Sequence, residues 1–138
     1  MFKRLFPNGK DTTAYTIFVL TNEASTTQKI VEIVQEAGYQ VKAADDGQSA
    51  IKLLDQPPLP DLLILDLLIS DMKTPQFLET VRQRLGRISL PPILLLGDDP
   101  AGEAIAHQIG VEDYMQKPFE STELLAHVWE ILAKKAAG

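Results

Sequence analysis

The stretch Leu62-Leu63-Ile64-Leu65-Asp66 limits what this chain can fold into more than any other part of it. Four consecutive aliphatic residues with no polar alternation suit a strand buried on both faces, as in a parallel sheet covered by helices on each side. The run ends on a carboxylate, Asp66, and open α/β sheets place their ligand crevices outside the carboxyl ends of their strands. Read locally, Asp66 is either a cap on the strand or the first residue of a site.

The neighbouring segments alternate in the way such a sheet needs. Residues 15–20 are β-branched and aromatic, a first strand running into the polar loop 21–25. A helix is expected from about Thr26 or Thr27, where a hydroxyl can cap free backbone N–H groups, with Ile30, Val31, Val34 and Ala37 on one face and Gly38 at its end. Tyr39, Val41 and Ala43 alternate with Gln40 and Lys42, a short second strand. Asp45-Asp46-Gly47 turns the chain into a second helix, 48–54, stopped by Pro57-Pro58. Beyond Asp66, Pro75 starts a third helix with Phe77, Leu78, Val81 and Leu85 on one face, and Gly86 ends it. A fully apolar fourth strand (93–96), a short helix near 101–109 stopped at Gly110, and a fifth strand (114–116) follow. The last helix starts near Ser121 and buries Leu124, Leu125, Val128, Ile131 and Leu132. Five strands alternating with five helices call for parallel strands joined by right-handed crossovers. The expected fold is therefore α/β, a flavodoxin-like doubly wound five-stranded parallel sheet of order 2-1-3-4-5 with five helices.

Composition narrows the function. The chain of 138 residues is long enough for one domain with a sizeable core, and its net charge of −6 argues against a nucleic-acid surface. Without cysteine it can build neither a disulfide nor a thiolate metal site, which fits a cytoplasmic setting. No run reaches membrane-spanning length. The N-terminal residues 1–13 read as an extension that either frays, the preferred reading, or docks Phe2, Leu5 and Phe6 on a neighbouring surface, and 135–138 read as a tail. His107 and His127 sit on expected helices with no metal-ligand spacing around them. No P-loop, dinucleotide fingerprint or hydrolase serine motif is present, so an enzyme is not expected.

Three segments together resemble the receiver domain of two-component response regulators (the CheY-like family). Pro60-Asp61-Leu62-Leu63-Ile64-Leu65-Asp66 is similar to its phosphoacceptor strand. Ala43-Ala44-Asp45-Asp46-Gly47 is similar to its turn into the second helix, and Asp113-Tyr114-Met115-Gln116-Lys117-Pro118-Phe119 to its closing motif. The likeness covers residues 14–134. It implies that Asp66 accepts a phosphoryl group, that Lys117 contacts the phosphoryl oxygens, that Pro118 is cis and structural, and that Gly97 and Tyr114 are the switch positions. Implied partners are a histidine kinase or phosphotransfer protein, and a downstream protein on the face of the fourth helix, fifth strand and last helix, where Tyr114 and Trp129 lie. A homodimer on that face is a further implied arrangement. Neither nucleic acid nor membrane is implied as a partner.

The chain also departs from that family, giving it a degenerate acidic pocket. Two acidic residues normally follow the first strand and hold Mg²⁺ with the phosphoacceptor; Thr21 and Asn22 stand there, with Glu23 one place on. Mg²⁺ favours carboxylates and waters, so Asp66 with Asn22 forms at best a weak metal site, and Mg²⁺ is expected to be weakly held or absent. Gly97 and Asp98 stand where a hydroxyl and a small residue are usual. Glu23 could compensate for the missing pair only by a shift of its loop; Asp98 is a second candidate, which brings a negative charge near an incoming phosphate. Two functions follow: a phosphorelay receiver acting through Asp66, with no attached output domain, or a pseudo-receiver that binds partners without phosphorylation.

Overall fold

The structure, a computed structural model, describes residues 4–86 and 89–138. Five strands, β1 (Thr16–Leu20), β2 (Gln40–Ala43), β3 (Leu62–Asp66), β4 (Ile93–Gly97) and β5 (Asp113–Gln116), form one parallel sheet of order β2-β1-β3-β4-β5. Between and after them run α1 (Ala24–Glu36), α2 (Gly47–Leu54), α3 (Thr74–Leu85), α4 (Gly102–Ile109) and α5 (Ser121–Ala137). The expected fold and strand order are both observed.

The period of two in each strand divides the core. Ile17, Val19, Leu62, Ile64, Leu94 and Leu96 face α1 and α5, whereas Phe18, Leu20, Leu63, Leu65, Ile93 and Leu95 face α2, α3 and α4. Because both faces are covered, β3 and β4 are buried at every position, which is why their sequences are continuous apolar runs. The register sets Leu20 beside Leu65, Asp66 beside Leu96, and Gly97 beside Gln116, so the loops after β1, β3, β4 and β5 all open on one edge of the sheet.

Some local expectations differ. α1 begins at Ala24 rather than Thr26, because Thr21, and not a threonine at the helix start, takes up the Glu23 N–H. β2 is an edge strand whose only partly buried residue is Val41, so its alternation carries little burial. α5 runs through 135–137, the stretch read as a tail. Phe6 is the larger correction: it is 2% exposed, stacked on Trp129 at 3.8 Å and set edge-on to Tyr15 at 4.6 Å. A frayed end was expected because three residues of low periodicity give no sign of the aromatic slot that awaits one of them. Leu5 is exposed, and Phe2 lies outside the described residues. Among the described residues no helix is long and apolar enough to cross a membrane.

Candidate functional site: a buried aspartate–lysine pair at the carboxyl edge of the sheet

Asp66 ends β3 with its side chain 2% exposed. Its Oδ1 lies 2.6 Å from Lys117 Nζ, and its Oδ2 accepts the backbone N–H of Asn22 at 3.0 Å. Lys117 is delivered from the end of β5: its own N–H donates to the Gly97 carbonyl at 2.8 Å, extending the ladder, and the Lys117–Pro118 peptide is cis as the resemblance implies. The lysine side chain is 14% exposed, so the pair is held largely out of water, where a carboxylate needs a partner. Asp66 is also fixed along its backbone. Its carbonyl accepts the Thr74 hydroxyl at the start of α3, and the Leu67 N–H donates to Leu96 O at 2.7 Å. The carboxylate is thereby a rigid, charge-paired group in a crevice.

Gly97 and Tyr114 meet on the other side of Lys117. A Cβ at Gly97 would stand 2.9 Å from Tyr114 Cε1 and 3.0 Å from Cζ, closer still to the phenol oxygen; one at Gly102 would meet the same ring at 2.5 Å. The ring thus fills a niche that two glycines, one ending β4 and one starting α4, leave open. Its hydroxyl donates to the Asp99 carbonyl at 2.5 Å. Partial burial, reinforced by the neighbouring charges of Asp99 and Asp98, pushes the Tyr114 phenol above its ordinary pKa. Asp98 itself is 84% exposed, with one oxygen 3.7 Å from Lys117 Nζ.

A model of the response regulator receiver domain matches residues 17–129. The chain belongs to the response regulator receiver domain family. Similar proteins include the alkaline phosphatase synthesis transcriptional regulatory protein PhoP of Bacillus subtilis, 29% identical over 119 residues, which cover 86% of this chain and 48% of that protein. The chain spans about half the length of the curated relatives it matches. A response regulator structure from Chloroflexus aurantiacus is 29% identical with a TM-score of 0.76, over 86% of this chain and 98% of that one. The chemotaxis protein CheY4 of Vibrio cholerae, 24% identical over 85% and 98% of the two chains with a TM-score of 0.74, shares the fold.

Receivers typically bind Mg²⁺ at an acidic pocket, and the donor set of this one does not fit that ion. Thr21 is buried, and its hydroxyl is saturated. It lies 2.8 Å from Glu23 O, 2.8 Å from Thr27 Oγ1, and accepts the Glu23 N–H at 3.2 Å. These three bonds coexist only if the one proton goes to Glu23 O and both lone pairs accept, leaving none for a cation. Asn22 reaches Asp66 through its N–H, a donor, and not through an oxygen. Among the described residues no group of three or more acidic, histidine or cysteine side chains could hold a metal ion.

Of the residues singled out from the sequence, Asp66, Lys117 and the Asn22 backbone come together, Gly97 and Tyr114 pack against each other, and Asp98 stands at the rim. Glu23 is exposed at the start of α1. His127 pairs with Asp113 between α5 and β5, away from the crevice, and His107 is exposed. Trp129 does not lie free on the partner face, since Phe6 stacks on it and the Arg4 guanidinium lies 3.8 Å over its ring. Two contributors escaped the sequence reading, Gly102 and Asp71, whose carboxylate accepts from Gly47 N at 2.7 Å and Gln48 N at 3.1 Å and so caps α2 from the loop after Asp66; Thr74 stands out in the sequence only as a mild departure from the family, not as a partner of Asp66. A hydroxyl before Pro75 and a glycine soon after Pro100 were the available signals.

Proposed function

We propose that this receiver accepts a phosphoryl group on Asp66 in a cytoplasmic two-component phosphorelay. The observation that carries the reading is the Asp66–Lys117 pair, a nucleophilic carboxylate with a cation 2.6 Å away at the mouth of an otherwise apolar strand layer. In the transfer an Asp66 oxygen forms a bond to phosphorus as the N–P bond of a phosphohistidine breaks. The imidazole keeps that electron pair and leaves neutral, its proton on the other ring nitrogen, and the product is an acyl phosphate. Catalysis of such a step is mainly positioning and charge stabilisation, which Lys117 supplies as a point charge on the phosphoryl oxygens. Pro118 sets the direction of the lysine. The donor is a histidine kinase or phosphotransfer protein, and the output is contact with a downstream protein on the face of α4, β5 and α5.

Gly97 and Tyr114 shape that output. With the ring already in its niche, a phosphoryl group has no hydroxyl at position 97 to draw in, and the tyrosine does not need to move. A ligand shifts an equilibrium only through contacts that differ between two states, so the response of the output face is small. This observation is the one that lends weight to a module acting without phosphorylation; the retained Asp66–Lys117 pair and the family favour the receiver that is phosphorylated. Incubation with acetyl phosphate or phosphoramidate, followed by phosphate-affinity electrophoresis of the parent and of Asp66→Asn, tests the reading. A shifted band in the parent and none in the variant supports it; equal bands, or none in either, refute it.

A further inference from the structure

Asp66 is ringed by hydrogen donors where an ion-binding pocket would present oxygens. One oxygen faces an ammonium at 2.6 Å, the other an amide N–H at 3.0 Å, and the Thr21 hydroxyl is spent inside its own turn. A divalent cation on this carboxylate would have to take a second lone pair beside one of those donors and accept Lys117 as a like-charged neighbour. The charge it would bring is already present. The second carboxylate of the neighbourhood, Asp98, points its charge at Lys117 from the solvent side, 3.7 Å away, and so adds to the lysine's neutralisation rather than to a metal shell. Mg²⁺ dehydrates reluctantly and demands near-octahedral oxygen geometry, so a single carboxylate already paired with an ammonium gives it little reason to leave water.

We propose that the Asp66 pocket works without a divalent cation, with Lys117 Nζ and the Asn22 N–H taking the charge-stabilising and positioning roles themselves. In the unmodified protein they hold the carboxylate. In the acyl phosphate they serve the phosphoryl oxygens in the same crevice, so group transfer does not depend on metal. The first half of the proposal stands on the donor geometry alone, and the second rests on the reading of Asp66 as phosphoacceptor.

Two measurements on the full chain test it. In the first, Mg²⁺ is titrated against amide chemical shifts to roughly ten times a millimolar constant, in the parent and in Asn22→Asp, a change at an exposed side chain. The expected result is no saturable shift at Asn22, Asp66 or Leu67 in the parent, and a saturable one in the variant; saturation in the parent overturns the proposal. Should the variant stay silent too, Thr21→Asp with Asn22→Asp supplies both carboxylates, and failure of that pair to bind refutes the claim that donor chemistry excludes the ion. In the second, labelling by phosphoramidate is timed in excess EDTA and in Mg²⁺. Rates within about two-fold are expected. A loss of about ten-fold or more in EDTA overturns metal independence. Absence of label under both conditions refutes phosphate acceptance instead, while the titration still decides the metal.

Discussion

Replacing Gly97 by alanine isolates the role of the tyrosine niche. The added Cβ falls 2.9–3.0 Å from two ring carbons and nearer to the hydroxyl, well inside ordinary contact, so either the ring or the end of β4 must move. The strand end is pinned by the Lys117 N–H on Gly97 O at 2.8 Å and by its pairing with β5. The ring is the softer of the two, but leaving the niche breaks its hydroxyl bond to Asp99 O. That lost bond is worth about 1 kcal/mol, and the overpacking about 1–3 kcal/mol if the ring stays. Against this, alanine in place of glycine recovers roughly 0.5–1 kcal/mol of backbone entropy. The net expectation is a destabilisation of up to about 2.5 kcal/mol, or a fall of up to roughly 10 °C in Tm. The decisive control is a cycle with Tyr114→Ala. In that background the Cβ has no ring to meet, so Gly97→Ala becomes neutral or mildly stabilising, with a coupling of at least about 1 kcal/mol. Thermal melts measure the cycle, and ring-to-methyl contacts by NMR report where Tyr114 sits. A neutral Gly97→Ala in the parent, with Tyr114 still bonded to Asp99, would refute the claim that the niche holds the ring. It follows that Gly97→Thr would not simply restore a missing hydroxyl; it would evict the tyrosine first.

Lys117→Met leaves the Asp66 carboxylate buried without its ion pair, at a cost of about 3–5 kcal/mol in a chemical denaturation curve, and Asp66→Asn added to it recovers much of that loss. Phe6→Ala empties the slot against Trp129 and Tyr15; a loss of about 2–4 kcal/mol and a red-shifted Trp129 emission are expected, whereas Leu5→Ala, at an exposed side chain, leaves both unchanged. Burial raises the Tyr39 phenol from 10.0 to about 12. The folded chain therefore holds that proton more tightly than the unfolded one, so its contribution is complete below pH 10 and is lost as pH rises from 10 through 12. The loss amounts to at most about 2.7 kcal/mol, measurable by denaturation at graded pH against Tyr39→Phe.

The layers of this protein were legible because burial on two faces leaves a plain trace. β3 and β4 are apolar at every position before their ends, as strands covered on both faces are. Asp66 stood out because it is a charge at the end of an apolar strand, whereas Lys117 stood out only through the resemblance of its segment to the family's closing motif. Phe6, Asp71 and Thr74 left no such trace, since an aromatic near a terminus, an aspartate in a turn and a threonine before a proline each have an ordinary local use. What assigns them is a partner distant in sequence: Trp129 for Phe6, the α2 N-terminus for Asp71, the Asp66 carbonyl for Thr74. The departures from the family motif show the same limit from the other side. In the sequence, Thr21, Asn22 and Gly97 look like losses, two carboxylates and a hydroxyl removed from a site. In the structure each of these positions has a local use of its own. The Thr21 hydroxyl closes the turn into α1, the Asn22 N–H takes one oxygen of Asp66, and the space at Gly97 holds the Tyr114 ring. Close packing explains why the two glycines belong together: a ring in the niche requires glycine at both 97 and 102. Restoring a side chain at 97 by itself therefore collides with the ring that has taken its place.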